Sequence, residues 1–145
     1  MEMTPSEVGA RAERAVAFAL AVAGKRVYLP LFAPHSRVDL VFEDSSGFHR
    51  VQCKTSRPRD GAISFCTCSH TGNERLGYVG EADFFGVYSP QLDQVFLVPV
   101  DAVPERECHL RISPARNGQI KRVRWARDYA VGANAEPIGR LPFVA

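Results

Sequence analysis

Residues 37–54 read RVDLVFEDSSGFHRVQCK, and the rest of the chain is organised around them. Two alternating runs, Arg37–Glu43 and Phe48–Lys54, flank the turn-prone Asp44-Ser45-Ser46-Gly47, which predicts a β-hairpin. Successive side chains on a strand face opposite sides, so Arg37, Asp39, Val41 and Glu43 share one side, and Gln52 and Lys54 share one side. A Ser45-Ser46 loop, or a four-residue 44–47 loop, sets Asp39 opposite Gln52; a Ser46-Gly47 turn sets it opposite Lys54. Directly paired residues project from the same face, so each of these registers gathers a carboxylate, an amide and an ammonium. A three-residue loop pairs Asp39 with Cys53 and scatters them.

Upstream, Thr4-Pro5-Ser6-Glu7 is a helix start: Thr4 caps, Pro5 suits the first helical position and Glu7 completes a capping box. The helix runs to about Ala23, with Gly24 as its stop. Val8, Ala12, Ala15, Val16, Ala19, Leu20, Val22 and Ala23 form its apolar face; Glu7, Arg11, Arg14 and Lys25 cluster opposite. Glu13 belongs to neither group and projects from the flank, about 100° from the apolar centre. A carboxylate there either snorkels or points at something.

Downstream, Arg26–Phe32 reads as a first strand, with Pro30 at an edge or end. Residues 55–61 read as a polar, basic loop, Ile63–Thr67 as a short strand and 69–80 as a mobile loop. Phe84–Tyr88 and Val95–Val100 are rich in aromatic and β-branched residues and predict strands. Asp101 is expected to cap a helical turn reaching Glu107, Cys108–Ile112 to form a last short strand, and Ile120–Ala130 to have loose helical spacing. The tail, 131–145, reads as irregular. A helix followed by a mixed sheet built on an early hairpin makes the fold class α/β, more closely α+β, in a single domain over 1–145.

At 145 residues the chain can bury roughly 70% of its unfolded surface without staples. Its 46% hydrophobic and 23% charged content is that of a soluble globular protein. The N-terminus lacks a basic region followed by an apolar run, and no apolar stretch nears the roughly 20 residues that span a bilayer, which argues against membrane association. Four cysteines (53, 66, 68 and 108) do not make a disulfide-dense scaffold, so reduced thiols and a cytoplasmic location are expected. The formal charge is only +2 but uneven: between Arg106 and Arg127 lie seven basic residues and one acid, Glu107. Such a stretch is either a solvated face or a face that meets phosphate.

The pairing of Asp39 with Gln52 and Lys54 admits two readings. A cross-strand ion pair on a solvated sheet is one. The other is a hard divalent ion held by oxygen ligands beside a lysine that orients water, the set phosphodiester hydrolysis needs. Cys66-Thr67-Cys68-Ser69-His70 lacks the spacing of a structural zinc site and reads as alternate strand positions. His35 reads as a loop residue near phosphate or as a general base.

The sequence as a whole resembles the PD-(D/E)XK nucleases, and within them a small-domain branch that includes intron-encoded homing endonucleases. The resemblance is carried by the helix glutamate, the Val38-Asp39-Leu40-Val41 strand and Val51-Gln52-Cys53-Lys54-Thr55. Further matches are Asp83-Phe84-Phe85-Gly86-Val87-Tyr88-Ser89-Pro90, Val95-Phe96-Leu97-Val98-Pro99-Val100, Leu110-Arg111-Ile112 and Arg124-Trp125-Ala126, so it covers about residues 5–130. It implies a restriction-endonuclease-like core and a DNA endonuclease using Mg²⁺, with Mn²⁺ as a substitute, through a metal-activated water. Asp39 would be the principal ligand, joined by the Cys53 carbonyl, the Gln52 amide oxygen and Glu13; Lys54 would position the water. Arg57, Arg59, Arg116, Lys121, Arg122 and Arg124 would contact DNA backbone. Cutting two strands implies a homodimer or higher assembly. Gln52 supplies no charge where an acid is common, and Val38 stands where proline is common; a binding-only relative on the same fold is the alternative.

Overall fold

The structure, a computed structural model, describes residues 1–34, 36–71 and 74–131, with backbone alone at 70, 71, 74 and 75. Helix α1 (Pro5–Val22) begins as its sequence dictates. The Thr4 hydroxyl accepts from the Glu7 amide at 3.2 Å, and the Glu7 carboxylate accepts from the Thr4 amide at 2.7 Å. Among the described residues eleven strands follow: β1 (Arg26–Tyr28), β2 (Leu40–Asp44), β3 (Gly47–Thr55), β4 (Arg57–Arg59), β5 (Ala62–Cys66), β6 (Cys68–Thr71), β7 (Glu74–Gly77), β8 (Phe84–Ser89), β9 (Gln94–Pro99), β10 (Glu107–Arg111) and β11 (Ala130–Val131). The main sheet has the order β1-β2-β3-β8-β9-β11, antiparallel except where β3 meets β8 in parallel. A smaller sheet, β10-β5-β4, and a β6–β7 hairpin complete the fold.

Each face of the main sheet has its own core. On one side Val16 and Leu20 of α1 pack on Leu40, Phe42, Val51, Cys53 and Val95. On the other, Phe85, Val87, Phe96 and Val98 meet Ile63, Phe65, Cys108 and Leu110 of the small sheet. Burying a side chain such as Val16 or Leu20 contributes about 1.5–3 kcal/mol, which is why the alanine-rich helix docks by its few large residues. Gly86 is what lets it dock closely: a Cβ there would lie 2.6 Å from Val16 Cγ1 and 3.0 Å from Val51 Cγ1.

The hairpin takes the two-residue Ser45-Ser46 turn, pairing Asp44 with Gly47 and Leu40 with Val51. The Asp44 carboxylate accepts from the Ser46 amide (2.9 Å) and the Ser46 hydroxyl (2.6 Å), and lies 3.0 Å from His49 Nε2. A side chain bonding two residues ahead offers the backbone a ready-made turn.

Several expectations are corrected. The first strand stops at Tyr28, short of Phe32, and the hairpin's first strand starts at Leu40, leaving Arg37 and Asp39 ahead of it. Residues 57–59 form an edge strand rather than loop, and the stretch read as a mobile loop contains the β6–β7 hairpin. Its carbonyls at Leu76 and Gly77 accept from Arg37 Nη2, a long-range anchor that local periodicity does not encode. The 3₁₀ turn at Val100–Ala102 ends well before Glu107, where β10 begins. No helix spans 120–130: a bridge from Arg111 to Trp125 and a short 3₁₀ turn at Ala126–Asp128 stand there, and Val131 pairs with Val95. Val22, on the predicted apolar face, is exposed at the helix end. His35 and residues 132–145, the bulk of the expected irregular tail, lie outside the described residues.

Two outcomes are expected. Gly86→Ala should lower stability by about 1–3 kcal/mol in urea unfolding, the cost of overpacking a tight core. Hydrogen bonds from the Ser46 hydroxyl, His49 and the Ser46 amide hold the Asp44 carboxyl well below its ordinary value of 3.8. A depressed folded value means the contribution is present above the unfolded value and lost as pH falls below it. Asp44→Asn should therefore be less stable than the wild type at neutral pH, with the gap closing as pH falls below about 4, measured by unfolding midpoints across pH.

Candidate metal and phosphate site

Asp39 does not continue the β2 ladder. Leu40 is the residue paired with Val51, yet the Asp39 amide also reaches the Val51 carbonyl, at 2.8 Å. Two residues thus answer to one, the arrangement of a β-bulge, which re-aims a side chain. The Asp39 carboxylate accepts from the Cys53 amide at 2.7 Å. Because the N–H and C=O of one strand residue point to the same edge, the Cys53 carbonyl projects toward Asp39, beyond the last β2 pair.

Glu13 reaches the same place from α1. It and Asp39 line a groove of about 780 Å³ between the helix and residues 29–39. Partial burial first, then the neighbouring Asp39 carboxyl, raise the Glu13 carboxyl above the ordinary glutamate range, with Arg14 opposing. Burial, followed by the charges of Asp39 and Glu13, pushes the Cys53 thiol up as well, so this thiol is a packing group. Two acids this close hold a negative potential with no cation bonded between them among the described residues.

Gln52 and Lys54 flank Cys53 and project from the face opposite the helix. Alternation brings these two together as expected. Asp39 joins them through the Cys53 backbone rather than by facing Gln52. The Gln52 Oε1 atom is buried and has no hydrogen-bond partner among the described residues, while its Nε2 makes a long 3.5 Å contact with the Cys53 carbonyl. The Glu13–Asp39 pair, the Cys53 carbonyl with its one long contact and the unpartnered Gln52 Oε1 are oxygen donors of the kind a hard divalent ion takes. Lys54 Nζ donates to Tyr78 Oη at 3.2 Å. Tyr78 itself escaped the sequence reading, since it ends a stretch without apolar periodicity.

The basic residues divide between the two edges of the small sheet. Arg57 is exposed on β4, and Arg59 beside it pairs with Glu107 at 3.2 Å. Beyond β10, Arg116, Lys121 and Arg122 are exposed, and Arg124 Nη2 donates to the Ala102 carbonyl at 3.0 Å. Among the described residues no three His, Cys, Asp or Glu side chains gather as a metal site; the His70 side chain of the Cys66–His70 run lies outside them. Nor is any described helix long and apolar enough to cross a membrane.

With that geometry established, the family follows: the chain belongs to the PD-(D/E)XK endonuclease family, which matches residues 3–132. Its fold is similar to the solved structure of a bacterial homing endonuclease, I-Ssp6803I, at a TM-score of 0.65, covering 89% of this chain and 88% of that one. The two are 23% identical, so this likeness speaks for the fold. Among curated proteins, none matches the sequence. Nucleases of the family generally depend on divalent metals and act on DNA.

An unpartnered buried oxygen costs about 1–3 kcal/mol, so Gln52→Met should leave the thermal midpoint of the metal-free protein equal to or above that of the wild type. A fall of more than about 3 °C would show that Oε1 is satisfied after all.

Proposed function

We propose that this chain is a Mg²⁺-dependent endodeoxyribonuclease, with Mn²⁺ able to substitute, acting in the cytoplasm as a single domain over 1–145. The observation that carries the proposal is the Glu13–Asp39 carboxyl pair, bonded at the Cys53 amide to the strand whose Gln52 Oε1 is buried and unpartnered among the described residues. In this reading Asp39, Gln52 Oε1, the Cys53 carbonyl and Glu13 hold the ion. A bound divalent ion supplies Lewis-acid neutralisation of the phosphate's non-bridging oxygens and acidifies water.

The residues divide the remaining work. The Cys53 amide fixes Asp39 in one rotamer, so the carboxylate is oriented before any ligand arrives. Burial and the neighbouring Asp39 disfavour the ionised form of Glu13, and a cation placed between the two carboxyls would favour it. Lys54, two residues from Gln52 on the same face, holds the attacking water and meets the charge that develops on the phosphorane-like oxygens. Arg57, Arg59, Arg116, Lys121, Arg122 and Arg124 contact backbone phosphates and set position rather than sequence. Because one such site severs one strand, a homodimer or higher assembly would be the form that cuts a duplex.

Gln52 gives specific support to a second reading, a DNA-binding module that has lost catalysis. The neutral amide leaves the ligand set one charge short of an acid-bearing one, and weaker ion binding follows. Supercoiled plasmid with Mg²⁺ or Mn²⁺ separates the two. The wild type should yield nicked or linear DNA, and Asp39→Ala and Lys54→Ala should each reduce cleavage to background while keeping the wild-type circular dichroism. Undiminished cutting by Asp39→Ala would sink the assignment of the site; salt-sensitive DNA retention without cutting by the wild type would favour the second reading.

A further inference from the structure

Lys54 carries its ammonium on a flexible four-carbon stem, and such a group loses much rotamer freedom when held in one place. No carboxylate lies within ion-pair distance of it among the described residues. What it meets is Tyr78: Nζ donates to Oη at 3.2 Å and lies 4.7 Å from the ring centroid.

Tyr78 is held from several directions. It is 5% exposed and packs edge-to-face on Phe85, centroids 5.5 Å apart at 86°, and Phe85 packs edge-on against Phe65. The Arg37 guanidinium lies 3.9 Å from the same ring. Arg37 is pinned in turn, donating to the carbonyls of Leu76 (3.2 Å) and Gly77 (2.9 Å), with its Nε 2.8 Å from Glu81. A ring fixed by core aromatics and by a clamped arginine presents its hydroxyl at a fixed point.

We infer that Tyr78 is the positioning residue for Lys54, an inference that rests on the role given to Lys54 above. The chemistry favours a phenol here over an acid. A neutral hydroxyl accepts one N–H and leaves the positive charge intact, with two further N–H donors free for water and a phosphate oxygen. A carboxylate would neutralise the ammonium and would have to release it as substrate bound. The phenol also keeps its own proton to donate. Tyr78 follows directly on β7, so the β6–β7 hairpin, clamped by Arg37, becomes part of the apparatus that places the lysine.

Tyr78→Phe removes Oη while keeping the ring, its Phe85 contact and its Arg37 neighbour. Single-turnover plasmid cleavage should fall roughly ten-fold, as expected for losing one hydrogen bond to a charged group, while DNA affinity in Ca²⁺ stays within about two-fold. Unchanged cleavage, or equal losses in rate and affinity, overturns the inference. A second measurement needs no activity. In metal-free protein with ¹³C-labelled lysine, the Lys54 ε-carbon, assigned by Lys54→Arg, should relax as a restrained group in the wild type and as a free side chain in Tyr78→Phe. Equal restraint in both overturns the inference. So does a wild-type Lys54 as mobile as the exposed Lys121, which decides the matter even where the variant does not fold. A restrained Lys54 in a wild type that cuts nothing leaves the positioning intact and removes the nuclease reading alone.

Discussion

The hydrogen bond from the Cys53 amide to the Asp39 carboxylate is the constraint on which the candidate site depends. It closes at 2.7 Å just where β2 ceases to pair with β3, and it replaces a ladder bond with a side-chain one. Had the ladder continued in register, Val38 would have paired with Cys53 and its amide would have covered the Cys53 carbonyl. The bulge instead leaves that carbonyl with one long contact from Gln52 Nε2 and turns an acid toward the helix groove. Glu13 then needs only the close docking of α1 to complete the pair, and Gly86 permits that docking.

The electrostatics are arranged without waste of charge. Two carboxylates face one groove with no bonded cation among the described residues, and the lysine on the other face of β3 is held by a phenol rather than an acid. Elsewhere the same chain pairs its charges freely: Arg50 with Asp83 at 3.1 Å, Arg59 with Glu107, Arg37 with Glu81. The contrast separates groups that hold the fold together from groups kept available for something else. Unpaired charge and an unpartnered buried amide oxygen are costly in a folded chain, and here they come from α1, the residue ahead of β2, and β3.

Much of this was legible in the sequence, and the rest was not for identifiable reasons. The capping box at Thr4–Glu7, the 44–47 turn and strands β8 and β9 are local events, governed by side chain–backbone bonds and by β-branched and aromatic content. Glu13, Asp39, Gln52 and Lys54 could be singled out because alternation and helical angle are regular. Alternation assumes an unbroken ladder, however, and Asp39 breaks it; its route to Gln52 and Lys54 is through the backbone. The β6–β7 hairpin is polar and gives no periodic signal, because tertiary bonds from Arg37 and the packing of Tyr78 secure it. Arg59 and Arg124 read as free cations until the fold brought Glu107 and the Ala102 carbonyl to them.

The parallel pairing of β3 with β8 sets an order on assembly. Glu13, Asp39, Gln52 and the Cys53 carbonyl all lie in one contiguous stretch that ends with β3, built from a helix and a hairpin whose contacts are short in sequence. The lysine's partner lies on the far side of β4–β7, within the crossover that must close before β8 can lie beside β3. Closing that loop is the slower kind of event. A chain leaving the ribosome from its N-terminus therefore exposes every group that would grip a cation before Tyr78 has been synthesised. The half of the site that would bind is complete in sequence before the half that would be needed to react.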